Sequence, residues 1–222
     1  MKNKIQHIIW DWNGTLVDDA WLFVELMNEV LKKRNLREIT VLDYKRAFCF
    51  PLEKYYERLG FDFKKEPYVV PSLEFIQLYN QNKYRPDLYP GIVSLIESLS
   101  LAGVKHYLLS AQNHDSLLDL IKYYQLGHLF ERVQGTNNLH ARGKGRLASS
   151  LLKSKRIASD RVLFIGDTNM DVEIALNNKA SVVGLSFGHQ SRERFVESKK
   201  LTLINSFKEL SAYLHLKFLE SL

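Results

Sequence analysis

Apolar residues along this chain fall into two rhythms. Near-continuous runs of Ile, Leu and Val lead into polar stretches at "IQHIIWDWNG" (5–14), "GVKHYLLSAQN" (103–113), "DRVLFIGDTNMD" (160–171) and "ASVVGLSFGH" (180–189), with "LTLIN" (201–205) as a shorter fifth. Runs of this kind suit strands buried on both faces. "ERVQG" (131–135) is a weaker sixth candidate. Between them the apolar spacing turns helical. In "PGIVSLIESLSLAG" (90–103), Ile92, Leu95, Ile96 and Leu99 fall on one face and Gly103 supplies the stop. "HDSLLDLIKYY" (114–124), "KGRLASSLLKSK" (144–155), "NMDVEIALNN" (169–178) and "SFKELSAYL" (206–214) repeat the pattern. Strand–helix alternation predicts an α/β fold with a Rossmann-like parallel sheet.

Residues 19–85 interrupt that alternation. "AWLFVELMNEVLKKRN", "VLDYKRAF", "LEKYYERLGF" and "VPSLEFIQLYNQN" read as helices, with no strand among them. An all-helical insert between the first two strands follows, giving a core of residues 1–17 and 86–222 and a helical cap of 18–85. The crossings lie near Val17–Asp19 and Arg85–Gly91, where Pro86 and Pro90 punctuate the return.

Composition narrows the class. A chain of 222 residues, 45% hydrophobic and 25% charged, can bury a substantial core. The net charge is +6 and the pI about 9.2. The basic runs "KKR" (32–34) and "KSKR" (153–156) are short and sit beside amphipathic stretches, so they read as solvated helix faces rather than a nucleic-acid surface. The single Cys49 excludes an internal disulfide and reads as a small apolar filler. No apolar run approaches the ~18–20 residues that span a bilayer. The N-terminus lacks a signal-peptide pattern. The expectation is a cytoplasmic protein acting on neither membrane nor nucleic acid; nothing in the pattern sets an oligomeric state.

In an open α/β sheet, ligands bind beyond the carboxyl ends of the strands. The candidate chemistry collects there: Asp11 after the first strand, Ser110 at the end of "HYLLS", Asp167 after "VLFIG", Asp171 one helical turn on, and Lys144 opening the helix before that strand. Carboxylates hold a hard divalent cation through oxygen. A lysine and a hydroxyl suit phosphoryl oxygens.

These residues resemble the motifs of the haloacid dehalogenase (HAD) superfamily. "DWNGT" (11–15) is similar to its DxDGT, Ser110 in "LLSAQ" to its second motif, Lys144 in "ARGKGR" to its third, and "GDTNMD" (166–171) to its GDTxxD. The helical insert falls where the family carries its C1 cap, and "VVGLSFGHQSRERF" (182–195) resembles phosphoglycolate-phosphatase-like members. The resemblance implies a phosphatase for a small phosphorylated metabolite. Asp11 would be the nucleophile that forms an aspartyl-phosphate. Mg2+ would be held by Asp11, Asp167 and the backbone carbonyl of Asn13, with Asp171 holding a ligand or a water of the metal. Ser110, Ala111 and Lys144 would grip the phosphoryl group. Arg46 and Lys54, in "RAFCFPLEKYYERLG" (46–60), would meet a second anionic group of the substrate, while Phe48, Phe50, Tyr55 and Tyr56 read as cap core.

Asn13 departs from the motif. The usual Asp there protonates the leaving oxygen and later activates water, help worth ~10²–10⁴-fold. An amide cannot release a proton at neutral pH. Either the substrates have good leaving groups, or another group such as a histidine or cap residue supplies the proton, or catalysis is slow and the protein mainly binds. On this reading Asn13→Asp raises hydrolysis of alkyl phosphates. Two other readings stay open: a Schiff base on Lys54, by similarity to the DxAGT phosphonoacetaldehyde hydrolases, and a non-catalytic HAD scaffold.

Overall fold

The computed structural model describes residues 5–137 and 143–218. Six strands form one parallel sheet: β1 (His7–Trp10), β2 (Lys105–Asn113), β3 (Arg132–Thr136), β4 (Val162–Gly166), β5 (Ser181–Leu185) and β6 (Leu201–Ile204). Their order is β3-β2-β1-β4-β5-β6, a Rossmann-like α/β arrangement. The sixth candidate strand is therefore real, and it lies at an edge, where pairing on one side leaves a weaker apolar signature.

Helices α5 (Ile92–Leu101), α6 (His114–Tyr123), α7 (Lys144–Ser154), α8 (Asn169–Asn177) and α9 (Phe207–Phe218) connect and cover the strands. Period-2 alternation divides the strand residues between two cores. Ile8, Trp10, Leu108, Leu163 and Ile165 pack with α5, α6 and α9, whereas Ile9, Tyr107, Leu109, Phe164 and Val182 pack with α7 and α8.

Helices α1 (Ala20–Lys32), α2 (Val41–Ala47), α3 (Leu52–Arg58) and α4 (Val69–Asn82) fall between β1 and β2. They share a separate hydrophobic cluster containing Val24, Met27, Tyr44, Phe48, Tyr55, Tyr56 and the buried Cys49. The chain enters and leaves this insert along one paired seam. Val17 bridges Leu88 antiparallel, Asp18 N–H donates to Asp87 O at 2.9 Å, and Tyr89 N–H donates to Leu16 O at 3.0 Å. Among the described residues no helix is long and apolar enough to cross a membrane.

Inside the sheet, Trp10 Nε1 donates to His106 Nδ1 at 3.0 Å. His106 is 1% exposed, and burial pushes its pKa from 6.5 down to about 4. Its folded pKa lies below its unfolded one. The stability it contributes is therefore complete above about pH 6.5 and is lost as pH falls toward 4, up to roughly 3 kcal/mol. Urea unfolding at pH 7 and pH 5 should show a larger acid loss for the wild type than for His106→Gln. Equal losses would contradict the assignment.

Candidate active site

The parallel register brings the strand-end residues to one edge. Trp10 aligns with Leu108 of β2 and with Ile165 of β4. Asp11 continues that ladder, its N–H donating to Ile165 O at 2.9 Å. Asp167 follows β4 directly and is fully buried. Ser110 is buried within β2 and does not end it: the strand runs to Asn113 through an irregular register after Leu109, and Ser110 Oγ accepts from Gln112 N–H at 3.1 Å. That irregularity turns Ser110 and Ala111 toward the cavity they line.

Lys144, the first residue of α7, is 4% exposed. Its ammonium lies 2.6 Å from Asp11 Oδ1 and 2.5 Å from Asp171 Oδ1. Burial alone would lower the Lys144 pKa; the two carboxylates outweigh it and hold it above its ordinary value. Asp171 is engaged at both oxygens, because Oδ2 caps α8 by accepting from Thr168 N–H at 3.2 Å and Thr168 Oγ1 at 2.7 Å. Burial pushes Asp11 up to about 6 against the opposing pull of Lys144, and pushes Asp167 up to about 7.

These carboxylates fit a hard divalent cation. Asp11, Asp167 and Asp171 each offer an oxygen within 4.8 Å of the others. Asp167 Oδ2 accepts from His189 N–H at 2.5 Å, but its buried Oδ1 has no protein hydrogen-bond partner. Gly14, at φ +66°, lets the backbone pass this carboxylate; a Cβ there would lie 2.2 Å from Asp167 Oδ2.

Asn13 belongs to a second buried network. Its Nδ2 donates to Asp19 Oδ2 at 2.5 Å and to Tyr79 Oη at 3.2 Å. Tyr79 in turn donates to Gln112 Oε1 at 3.3 Å. Asp19 Oδ1 accepts from Gly14 N–H and from His189 Nε2, both at 2.9 Å. His189 Nδ1 meets Tyr44 Oη at 2.5 Å. Burial opposes charge on the His189 ring, but Asp19 overcomes this and raises its pKa. Reversing the Asn13 amide would press its oxygen against a carboxylate oxygen. Both N–H groups are thus committed, and Asn13 offers the cavity an acceptor only.

The segment after β5 ties this network to α2. Lys45 Nζ donates to Phe187 O at 2.6 Å, Gln190 Nε2 to Phe48 O at 2.9 Å, and Ser191 N–H to Lys45 O at 3.2 Å. A cavity of about 530 Å3 lies between these helices and the sheet edge, lined by Asp11, Asn13, Ser110, Lys144 and Asp167 at its base. Such a volume suits a small molecule.

Arg46 and Lys54 are not brought to this cavity. Arg46 is exposed and faces Glu193 at 3.9 Å; Lys54 is exposed on α3. Neither its position nor its surroundings support a Schiff base on Lys54. The aromatics Phe48, Phe50, Tyr55 and Tyr56 form the core of the insert as expected and also line the cavity. The sequence reading missed Asp19, Tyr44, Tyr79 and His189. One cue was present, the second acid of "DD" (18–19) close behind the first motif.

Sheet order, helical insertion and the strand-end acids with their lysine define a Rossmann-like α/β enzyme. The profile of the haloacid dehalogenase-like hydrolases matches residues 8–185, and the chain belongs to that family. It is 22% identical over 214 residues to a phosphoglycolate phosphatase of Pseudomonas savastanoi pv. phaseolicola, covering 91% of this chain and 77% of that protein. It is 24% identical over 176 residues to a phosphoglycolate phosphatase of Rhodobacter capsulatus, covering 77% and 79%. Its fold is similar to that of a haloacid dehalogenase-like family hydrolase from Streptococcus pneumoniae, with a TM-score of 0.75, 18% identity, and 94% and 98% of the two chains covered.

Proposed function

We propose that this hydrolase is a Mg2+-dependent phosphatase that cleaves a small phosphorylated metabolite through a phosphoryl group carried on Asp11, with residues 18–85 as its cap. One observation carries the reading: the Lys144 ammonium lies between Asp11 and Asp171, whose carboxylates cluster with that of Asp167, at the base of a cavity of small-molecule size. Asp11, Asp167 and the Asn13 carbonyl would hold the ion, with Asp171 supporting a ligand or a water; it would neutralise charge on the carboxylates and phosphoryl oxygens.

Asp11 attacks phosphorus as a carboxylate, and the ester P–O bond breaks with its electrons going to the leaving oxygen. Lys144 and Ser110 hold the phosphoryl oxygens through transfer. Water then attacks phosphorus, the bond to Asp11 breaks, and inorganic phosphate leaves with Asp11 regenerated. Tyr79 and Asp19 hold the Asn13 amide oxygen toward the cavity, where it accepts a hydrogen bond from the incoming water. Release of inorganic phosphate from an aryl phosphate should require Mg2+ and stop on chelation. Release unaffected by chelation, or no release, would overturn the reading.

The Asp19 contact changes what Asn13→Asp does. Alone, it sets two buried carboxylates against each other and should lower stability by roughly 2 kcal/mol, without faster alkyl-phosphate hydrolysis. The double variant Asn13→Asp/Asp19→Asn restores an acid–amide pair. It should recover that stability and raise alkyl-phosphate turnover at least about tenfold. Urea unfolding and kcat/KM for an alkyl phosphate test both outcomes. A gain in the single variant would contradict the pairing.

A further inference from the structure

We infer that the preferred substrate is the phosphate monoester of an uncharged phenol, an aryl phosphate with no charge beyond its phosphoryl group. The inference rests on the phosphatase reading and adds the identity of the leaving group. Two independent features of the cavity converge on it.

The first is charge. Beyond the catalytic base, much of the wall is aromatic: Phe23, Phe48, Tyr55, Tyr56, Phe75 and Tyr79 line the cavity, with Asn80, Gln112, Asn113 and Ser116 as neutral polar members. These rings pack edge-on or tilted against one another, as Phe23 does on Phe75 and Tyr79, and Tyr55 does on Phe48 and Tyr56. Among the described lining residues, the cationic candidates are Lys144 and His189. Lys144 is committed to Asp11, Asp171 and the phosphoryl group, and His189 to Asp19. The nearby Lys45 donates to a backbone carbonyl, and Lys83 pairs with Asp119 at 2.7 Å. Among the described lining residues, a carboxylate on the remainder of the substrate would lose its water and meet neutral donors such as Asn80, Asn113 and the Tyr55 hydroxyl, but no cation free of a carboxylate. A flat apolar ring would find offset and edge-to-face neighbours.

The second is proton supply. Position 13 offers an amide oxygen, because Asp19 and Tyr79 occupy both of its N–H groups. His189 has both ring nitrogens engaged, by Asp19 and Tyr44. Neither group can hand a proton to the departing oxygen. An alkoxide cannot leave well without one, whereas a phenolate, whose acid has a pKa of ≈ 10, can. It departs as the anion and takes its proton from solvent. The aromatic rings and the amide in place of an acid at position 13 thus select the same class.

The test compares kcat/KM, with Mg2+, for phenyl phosphate, 4-carboxyphenyl phosphate, benzyl phosphate and phosphoglycolate. Phenyl phosphate should exceed 4-carboxyphenyl phosphate and phosphoglycolate at least about tenfold, the penalty of desolvating a carboxylate without a free cation. It should exceed benzyl phosphate, which keeps the ring but leaves as an alkoxide, about a hundredfold. A carboxylated ester turned over as well as phenyl phosphate, or benzyl phosphate equal to it, would overturn the inference while leaving the phosphatase reading intact. Turnover of none of the four, with Asp11→Asn indistinguishable from wild type, would remove the phosphatase reading and the inference together.

Discussion

Asp11→Asn is expected to reduce phosphoryl ester hydrolysis at least about a thousandfold, because it removes the atom that attacks phosphorus. The substitution is nearly isosteric, and Asp11 sits in a crowded acid cluster where burial already pushes its pKa up to about 6. Replacing one of three neighbouring carboxylates leaves Lys144 paired with Asp171 at 2.5 Å. The variant should therefore unfold at a urea midpoint close to that of wild type. Purified to homogeneity and assayed with Mg2+ and phenyl phosphate, it should show background rates. Activity above a tenth of wild type would mean that another group attacks phosphorus.

Lys144→Met should damage both stability and activity. The ammonium is 4% exposed and lies against two carboxylates. Removing one partner of a buried ionic cluster strands the others, at about 3–5 kcal/mol. Unfolding in urea without divalent ions should show a loss of that size. Added Mg2+ should return part of it, since a cation that binds only the folded form stabilises it. The loss of a phosphoryl contact should lower kcat/KM by roughly a hundredfold as well. A variant as stable as wild type without Mg2+ would contradict the buried-cluster account.

The strand-end chemistry could be read from the chain because it follows from local pattern. Apolar runs mark β1, β2 and β4, and Asp11 and Asp167 stand where those runs give way to loops. The parallel sheet does the rest by placing all carboxyl ends on one edge. Ser110 was read as the end of a strand because hydrophobicity stops there; hydrogen bonding carries β2 on to Asn113.

Arg46 and Lys54 lie off the cavity for a reason that was also written in the sequence. Tyr44 on α2 and Phe48, which caps it, are four residues apart and both buried, which turns Arg46, halfway between them, outward. On α3 the buried pair Tyr55 and Tyr56 likewise sets Lys54 toward solvent. The Asn13–Asp19–His189–Tyr44 network was not legible. Its members come from the first loop, the start of α1, the segment after β5 and α2, and His189 lies 170 positions from Asp19. No period or spacing links such residues before the insert folds back over the sheet.

The phosphoryl group is expected to pass through Asp11. Enzyme mixed with phenyl phosphate and Mg2+, quenched in acid within one turnover and mapped by peptide mass spectrometry, should carry phosphate on Asp11. Reduction of the quenched sample with borohydride should convert that residue to homoserine. Phosphate on any other residue, or turnover with none on the protein at any quench time while inorganic phosphate accumulates, would contradict it.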